Sequence, residues 1–135
     1  MQKRTQKGMI DMSVYLSARY DRLADMQTRA RELTWWGIPV GSRWHTHEAR
    51  EALEAADEDY ADVRACSTLV LFTDDKEDDV PVNGGRYVEL GMAMGWGREI
   101  LLVGPYTNVF THMIGYQFAT WEECLEWMKQ HKNLL

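Results

Sequence analysis

Thr68-Leu69-Val70-Leu71-Phe72-Thr73 is the stretch on which the fold turns. It is short and apolar at successive positions, without the alternation of a half-solvated strand. That pattern reads as a central strand buried on both faces of a sheet. Downstream, Glu99-Ile100-Leu101-Leu102-Val103-Gly104 repeats it. Upstream, Met12-Ser13-Val14-Tyr15-Leu16-Ser17 reads as a first strand, and Ile38-Pro39-Val40-Gly41-Ser42-Arg43-Trp44 as a weaker second one, confined by its proline to an edge or a strand start. A short strand is expected around Tyr116 to Ala119.

Between these runs the apolar period changes to that of a helix. Leu23, Met26, Ala30 and Leu33 share one face of a helix from Asp21 to Trp35, which Gly37 ends. Ala49, Ala52, Leu53, Ala56, Tyr60 and Val63 mark a second, from about His47 to Ala65. A third runs from Arg86 to about Trp96. Thr120 and Glu123 stand in capping-box spacing at the start of a fourth, whose stripe is Trp121, Cys124, Leu125 and Met128. Strands alternating with helices over short connections imply a parallel sheet covered on both faces. In such sheets ligands bind beyond the carboxyl ends of the strands. That rule selects Ser17-Ala18-Arg19, Trp44 to His47, Asp74 to Arg86, and Gly104 to Asn108 before any chemistry is invoked.

Composition narrows the function. The 135 residues suit one domain, and 45% hydrophobic with 27% charged residues is the mixture of a folded chain. The formal charge of −6 argues against a general nucleic-acid clamp, which needs a basic face, but leaves room for a small anion in a local basic pocket. No apolar run approaches the roughly 20 residues of a membrane span. The basic N-terminus has no apolar core behind it, so residues 1–11 read as a flexible arm rather than a secretory signal. Cys66 and Cys124 lack metal-ligand spacing and read as small core residues of a reduced, cytoplasmic protein.

The most informative segment is Asn83-Gly84-Gly85-Arg86-Tyr87-Val88-Glu89-Leu90-Gly91-Met92-Ala93. Two glycines at a loop-to-helix junction allow close backbone approach, the helix start offers free amides to an anion, and Arg86 adds a permanent charge. Glu89, one turn in, is near enough to the mouth to enter a cleft. A plain turn, with a glutamate favouring the helix N-terminus, accounts for the same residues. Neither a G-x-G-x-x-G nor a P-loop is present.

The run from Gly85 to Ala93 resembles the signature of the nucleoside 2-deoxyribosyltransferase family, a glycine four residues before Glu-Leu-Gly-x-Ala. That family includes hydrolases of 2-deoxynucleoside 5′-monophosphates. Val14-Tyr15-Leu16-Ser17 is similar to the family's first strand, and the order of elements matches over about residues 12 to 130. The resemblance implies a single flavodoxin/Rossmann-like three-layer α/β domain over residues 12–135, with a mostly parallel five-stranded sheet in the order 2-1-3-4-5. It implies cleavage or transfer at an N-glycosidic bond, with Glu89 as nucleophile, a covalent deoxyribosyl intermediate and no cofactor. Tyr15 would hold the carboxylate. Asn83 stands where the family contacts the sugar, and Ser17, Arg19 and Gly85 where its monophosphate hydrolases surround phosphate. Asn108 would close the site, alone or with a neighbouring subunit.

One departure stands out. The position aligned with the family's general acid is Ser67, which cannot protonate a leaving base. Asp74 or Asp75, at the other end of the same strand, is the expected substitute, and Asp75 is taken as the catalytic acid. Trp44 is placed to stack on a base, as are His45 and His47; a metal shared by the two histidines lacks a third ligand. The carboxylates from Asp74 to Asp79 read as a solvated loop before a lid or cation site, lacking the spaced ligands of a calcium loop. The expected partners are a small nucleoside or nucleotide and a second copy of the chain, through Met92, Met94, Trp96 and the loop from Asn108 to Met113. Two other readings compete: a nucleotide-binding module without turnover, and an N-glycohydrolase of NAD-type dinucleotides.

Overall fold

The computed structural model describes residues 12–48, 50–75 and 84–132. Four strands, β1 (Val14–Ser17), β2 (Thr68–Phe72), β3 (Glu99–Val103) and β4 (Tyr116–Phe118), form one parallel sheet in that order. Four helices accompany them: α1 (Leu23–Trp35), α2 (Ala52–Ala65), α3 (Gly85–Gly95) and α4 (Trp121–His131). Every residue of β2 is buried. Successive side chains of a strand point to opposite faces, so both faces of the sheet are covered. The helices do this in two pairs. α2 packs on α3. α1 meets α4 where Trp121 Nε1 donates to Glu32 at 3.0 Å and the Arg29 guanidinium lies 5.5 Å over the Trp121 ring.

The expected five-stranded sheet in the order 2-1-3-4-5 is corrected to four strands in the order 1-2-3-4. The segment from Ile38 to Trp44 does run along the free edge of β1, but only a single bridge, Val14 to Val40, forms there. Val14 N donates to Pro39 O at 2.9 Å and Gly41 N to Val14 O at 2.8 Å. One residue pair further, side chains replace the ladder. Leu16 N donates to Ser42 Oγ at 3.1 Å, and Trp44 Nε1 donates to Leu16 O at 2.7 Å. The backbone then turns away into a single 3₁₀ turn over Trp44–Thr46. Pro39 lacks the amide a longer ladder needs, and Ser42 and Trp44 satisfy β1 without one.

Helix boundaries shifted for local reasons. α2 begins at Ala52 instead of near His47, because the Glu51 side chain accepts from Leu53 N and sets the start. α1 is preceded by a 3₁₀ turn over Tyr20–Arg22. Thr120 caps α4 as expected, accepting from Glu123 N at 3.2 Å, but the Glu123 carboxylate reaches back to Ala119 N rather than to Thr120. At the carboxyl end of β3, Gly104 has φ of 120° and a Cβ there would stand 2.6 Å from Asp74 N. Only glycine lets the two central strands end this close together. The residue-1–11 arm and part of the acidic loop, residues 76–83, lie outside the described residues.

Candidate active site

The carboxyl end of β1, the inner face of α2 and the start of α3 meet at a cleft of about 370 Å³. Glu89 lies in its wall, one turn into α3. Both carboxylate oxygens are bonded from β1: Tyr15 Oη donates to Oε2 at 2.7 Å, and Ser17 Oγ to Oε1 at 2.8 Å. Tyr15 and Ser17 are fully buried and two residues apart, so the pleat turns both toward the same face. The Tyr15 bond is the contact the family resemblance implied, whereas Ser17, expected beside a phosphate, spends its hydroxyl on the Glu89 carboxylate.

Electrostatics follow from that geometry. Burial pushes the Glu89 carboxyl up to about 7, against the two hydroxyl bonds, which favour the anion; the nearby Asp59 charge adds to the rise. Burial, and then the Glu89 charge, drives the Tyr15 phenol far above its ordinary range, so it remains a donor. A raised acid has a consequence for stability. The folded protein holds a proton that the unfolded chain releases near the ordinary 4.5. The stabilisation is whole below that pH and is lost as pH rises through about 7. At about 1.4 kcal/mol per pH unit, the deficit is about 3 kcal/mol. Urea unfolding of Glu89→Gln and the parent should therefore show the variant gaining on the parent by about that amount between pH 4 and pH 8. A gap that stays constant with pH would show that Glu89 ionises normally in the folded protein.

The remaining lining is mixed. Ala18, Arg19, Tyr20 and Trp44 come from the β1 side, Arg50 and Asp59 from α2 and the residues before it, and Gly85 and Arg86 from the start of α3. Trp44 offers only its ring, since its indole nitrogen is committed to Leu16 O, and it lies 6.0 Å from the Tyr20 ring. Arg19 is buried and bonds Asp21 with both arms of its fork, at 3.1 and 2.7 Å. Gly84 caps α3 without a side chain, leaving the first amides of the helix at the cleft mouth.

Sequence reasoning missed Arg50 and Asp59. The sequence pattern of α2 singles out its apolar residues alone, yet Asp59 is four residues before the buried Val63 and three before the buried Asp62. Helical phase therefore turns it inward, and that phase was the available signal. Burial raises the Asp59 carboxyl, opposed by Arg50 Nη2 at 3.5 Å. Asp59 Oδ1 is buried without a hydrogen bond among the described residues.

Several expected residues stand elsewhere. Ser67 precedes β2 and bonds the Ser13 backbone, with Ser13 N donating to its Oγ at 2.9 Å. It is at the amino end of the sheet, roughly 15 Å of strand from the cleft, so an acid there would not reach a substrate. Asp75 is on the expected edge but does not line the cleft; it is 2.7 Å from Arg86 Nη1 and 3.4 Å from Arg22 Nη1. Asn108 also lies outside the lining, its side chain accepting from Phe110 N and Thr111 N to cap a 3₁₀ turn. Asn83 lies outside the described residues. His45 is buried with Nε2 2.9 Å from Ser42 Oγ, and His47 pairs with Glu58 at 3.1 Å. Among the described residues no three His, Cys, Asp or Glu side chains cluster as for a metal.

The fold is one that several nucleoside-processing enzymes use. No family profile and no curated protein sequence matches this chain. Among solved structures it is similar to the CMP N-glycosidase of Clostridium botulinum, at TM-score 0.62 and 19% identity, covering 88% of this chain and 98% of that one. It is similar also to the 2-deoxyribosyltransferase of Bacillus psychrosaccharolyticus, at 0.66 and 17%, covering 83% and 89%. The 2-deoxyribosyltransferase of Leishmania mexicana aligns at 0.63 and 14%, covering 89% and 98%.

Proposed function

We propose that this protein cleaves or transfers at the N-glycosidic bond of a nucleoside or nucleotide, with 2-deoxynucleosides and their 5′-monophosphates as the substrate class. The observation that carries the reading is the Glu89 carboxylate, held on both oxygens by Tyr15 and Ser17 in a cleft of nucleotide size. The likeness to a CMP N-glycosidase and two deoxyribosyltransferases supports it. In the proposed reaction a Glu89 oxygen attacks the anomeric carbon, the bond from that carbon to the base nitrogen breaks, and the electron pair leaves with the base. Asp59 supplies the proton that neutralises the departing base. Water or a second base then attacks the same carbon, the Glu89 ester bond breaks, and Asp59 takes the attacking group's proton. Trp44 presents a face for stacking, while Arg19, Arg86 and the amides after Gly84 favour a phosphate at the sugar's other end.

Incubating the purified protein with deoxynucleosides and their monophosphates, with and without an acceptor base, tests this. Free base is expected as product, faster from monophosphates. Tight binding without base release would instead leave a nucleotide-binding module.

The site is further proposed to be completed by a second copy of the chain. Val109, Phe110 and Met113 are 73%, 60% and 70% exposed in the 3₁₀ turn that Asn108 caps, an apolar surface open to a partner. Met92, Met94 and Trp96, expected on that contact, are half-buried and pack against the core of their own chain. A dimer is the expected species in sedimentation at micromolar concentration; an active monomer of 15.7 kDa would show that one chain suffices.

A further inference from the structure

Each guanidinium lining the cleft already faces a carboxylate: Arg19 faces Asp21, Arg50 faces Glu58 and Asp59, and Arg86 faces Asp75. The last pair differs in how its acid is held. Asp75 Oδ2 lies 2.7 Å from Arg86 Nη1, while its Oδ1 lies 3.4 Å from Arg22 Nη1. Arg22 in turn holds Asp74 at 2.6 Å. Arg86 lines the cleft, whereas Asp75 and Arg22 do not. Asp75 therefore stands behind Arg86, between it and a second cation. The three side chains are only 12–13% exposed, so water screens their charges weakly.

Arg86 is also positioned without Asp75. Its Nη1 donates to Phe72 O at 2.8 Å, and its guanidinium lies 4.9 Å over the Tyr87 ring. Tyr87 is itself tied to Thr107 at 2.7 Å. Loss of the Asp75 charge would thus leave the guanidinium in place while removing the anion that offsets it.

We infer that Asp75 is a specificity-determining residue, the counter-charge that sets how strongly the cleft holds a nucleotide's phosphate relative to an uncharged nucleoside. The inference deepens the nucleotide reading of the cleft and rests on it. A phosphate docked on the cleft side of Arg86 lies close enough to Asp75, across a poorly solvated wall, to feel its repulsion. An uncharged nucleoside does not. Arg22 acts in the opposite sense, since it offsets both Asp74 and Asp75.

The test is titration calorimetry at low salt with inorganic phosphate, 2-deoxyribose 5-phosphate and an uncharged deoxynucleoside. Asp75→Asn should tighten the two phosphates by about tenfold, or about 1.4 kcal/mol, and shift the nucleoside by less than about twofold. Arg22→Gln should weaken the phosphates several-fold, with the nucleoside again unmoved. Asp75→Glu, which keeps the charge, should resemble the parent. A merely structural role predicts weaker binding of every ligand in both substitutions, and that result overturns the inference. Phosphate affinity unchanged or reduced in Asp75→Asn also overturns it, and this variant decides alone if Arg22→Gln does not fold. Base release from nucleosides with no phosphate affinity in parent or variant sinks the counter-charge and leaves the N-glycosidic reading standing. Tightening in Asp75→Asn without base release from any substrate supports the counter-charge and sinks that reading.

Discussion

Glu89→Gln is expected to lower base release by at least ~10³-fold, the scale on which removing a principal catalytic group acts. Glutamine keeps the volume of the side chain and can still accept from Tyr15 Oη, which lies 2.7 Å from Oε2. What it loses is the anion that must bond to the anomeric carbon. The variant should therefore fold, and should bind nucleotide with nearly the parent's affinity. The parent's pH profile carries a second signature. Glu89 must be ionised to attack, and burial pushes its carboxyl up to about 7, so the rate should climb with pH through that value. Trapping a sugar–protein adduct with a slow substrate, and locating it on Glu89 by mass spectrometry, would identify the nucleophile directly. Near-parent activity in Glu89→Gln would end the mechanism.

Asp59→Asn is expected to have the second-largest effect, a loss of about 10²–10⁴-fold on ordinary bases, the usual worth of a positioned general acid. Asp59 lines the same cleft as Glu89, and burial raises its carboxyl toward the protonated form that an acid needs. The leaving group supplies the control. A base that is already cationic, such as 7-methylguanine, departs without protonation, so Asp59→Asn should cost its nucleoside little in the first step. An equal loss on both leaving groups would assign Asp59 to binding the base or holding Arg50. Asp75, expected from the sequence to give the proton, is paired with Arg86 and Arg22 and lies outside the lining. The same substitution there should therefore leave the leaving-group dependence unchanged.

The parts of the site legible in the sequence share one property: their geometry is set by neighbours in the chain. Tyr15 and Ser17 face one way because they are two apart on a strand, and Glu89 is one turn beyond a glycine pair. Asp59 was hidden because its helix is acidic on several sides. Packing of α2 against α3 brings Asp59 into the cleft wall, and the helical phase set by the buried Val63 is the local sign of it. Ser67 misled for the converse reason. Its place next to β2 is plain in the sequence, but which end of the strand bears the cleft matters more than nearness to the strand, and Ser67 is at the amino end, bonded to Ser13. Asn108 fitted a ligand contact and a turn equally well. The structure spends its side chain on the amides of Phe110 and Thr111.

By itself the sequence determined the alternating α/β architecture, the two fully apolar central strands, and the placing of Tyr15 on the first strand and of Glu89 one turn into a helix, both on the ligand-bearing side. These depend on hydrophobic period and local spacing, which the chain carries residue by residue. Tertiary structure alone decided three matters. The edge of β1 is closed by Ser42 and Trp44 side chains instead of a strand, because they satisfy Leu16 where Pro39 limits a ladder. The carboxylate that shares the cleft wall with Glu89 is Asp59, because α2 packs against α3. Asp75 is a partner of arginines, because the chain leaving β2 passes Arg22, just before α1, and Arg86, at the start of α3. Each is a contact between residues far apart in the chain, and no local pattern specifies which distant side chain will be there to satisfy a strand edge, a carboxylate or a charge.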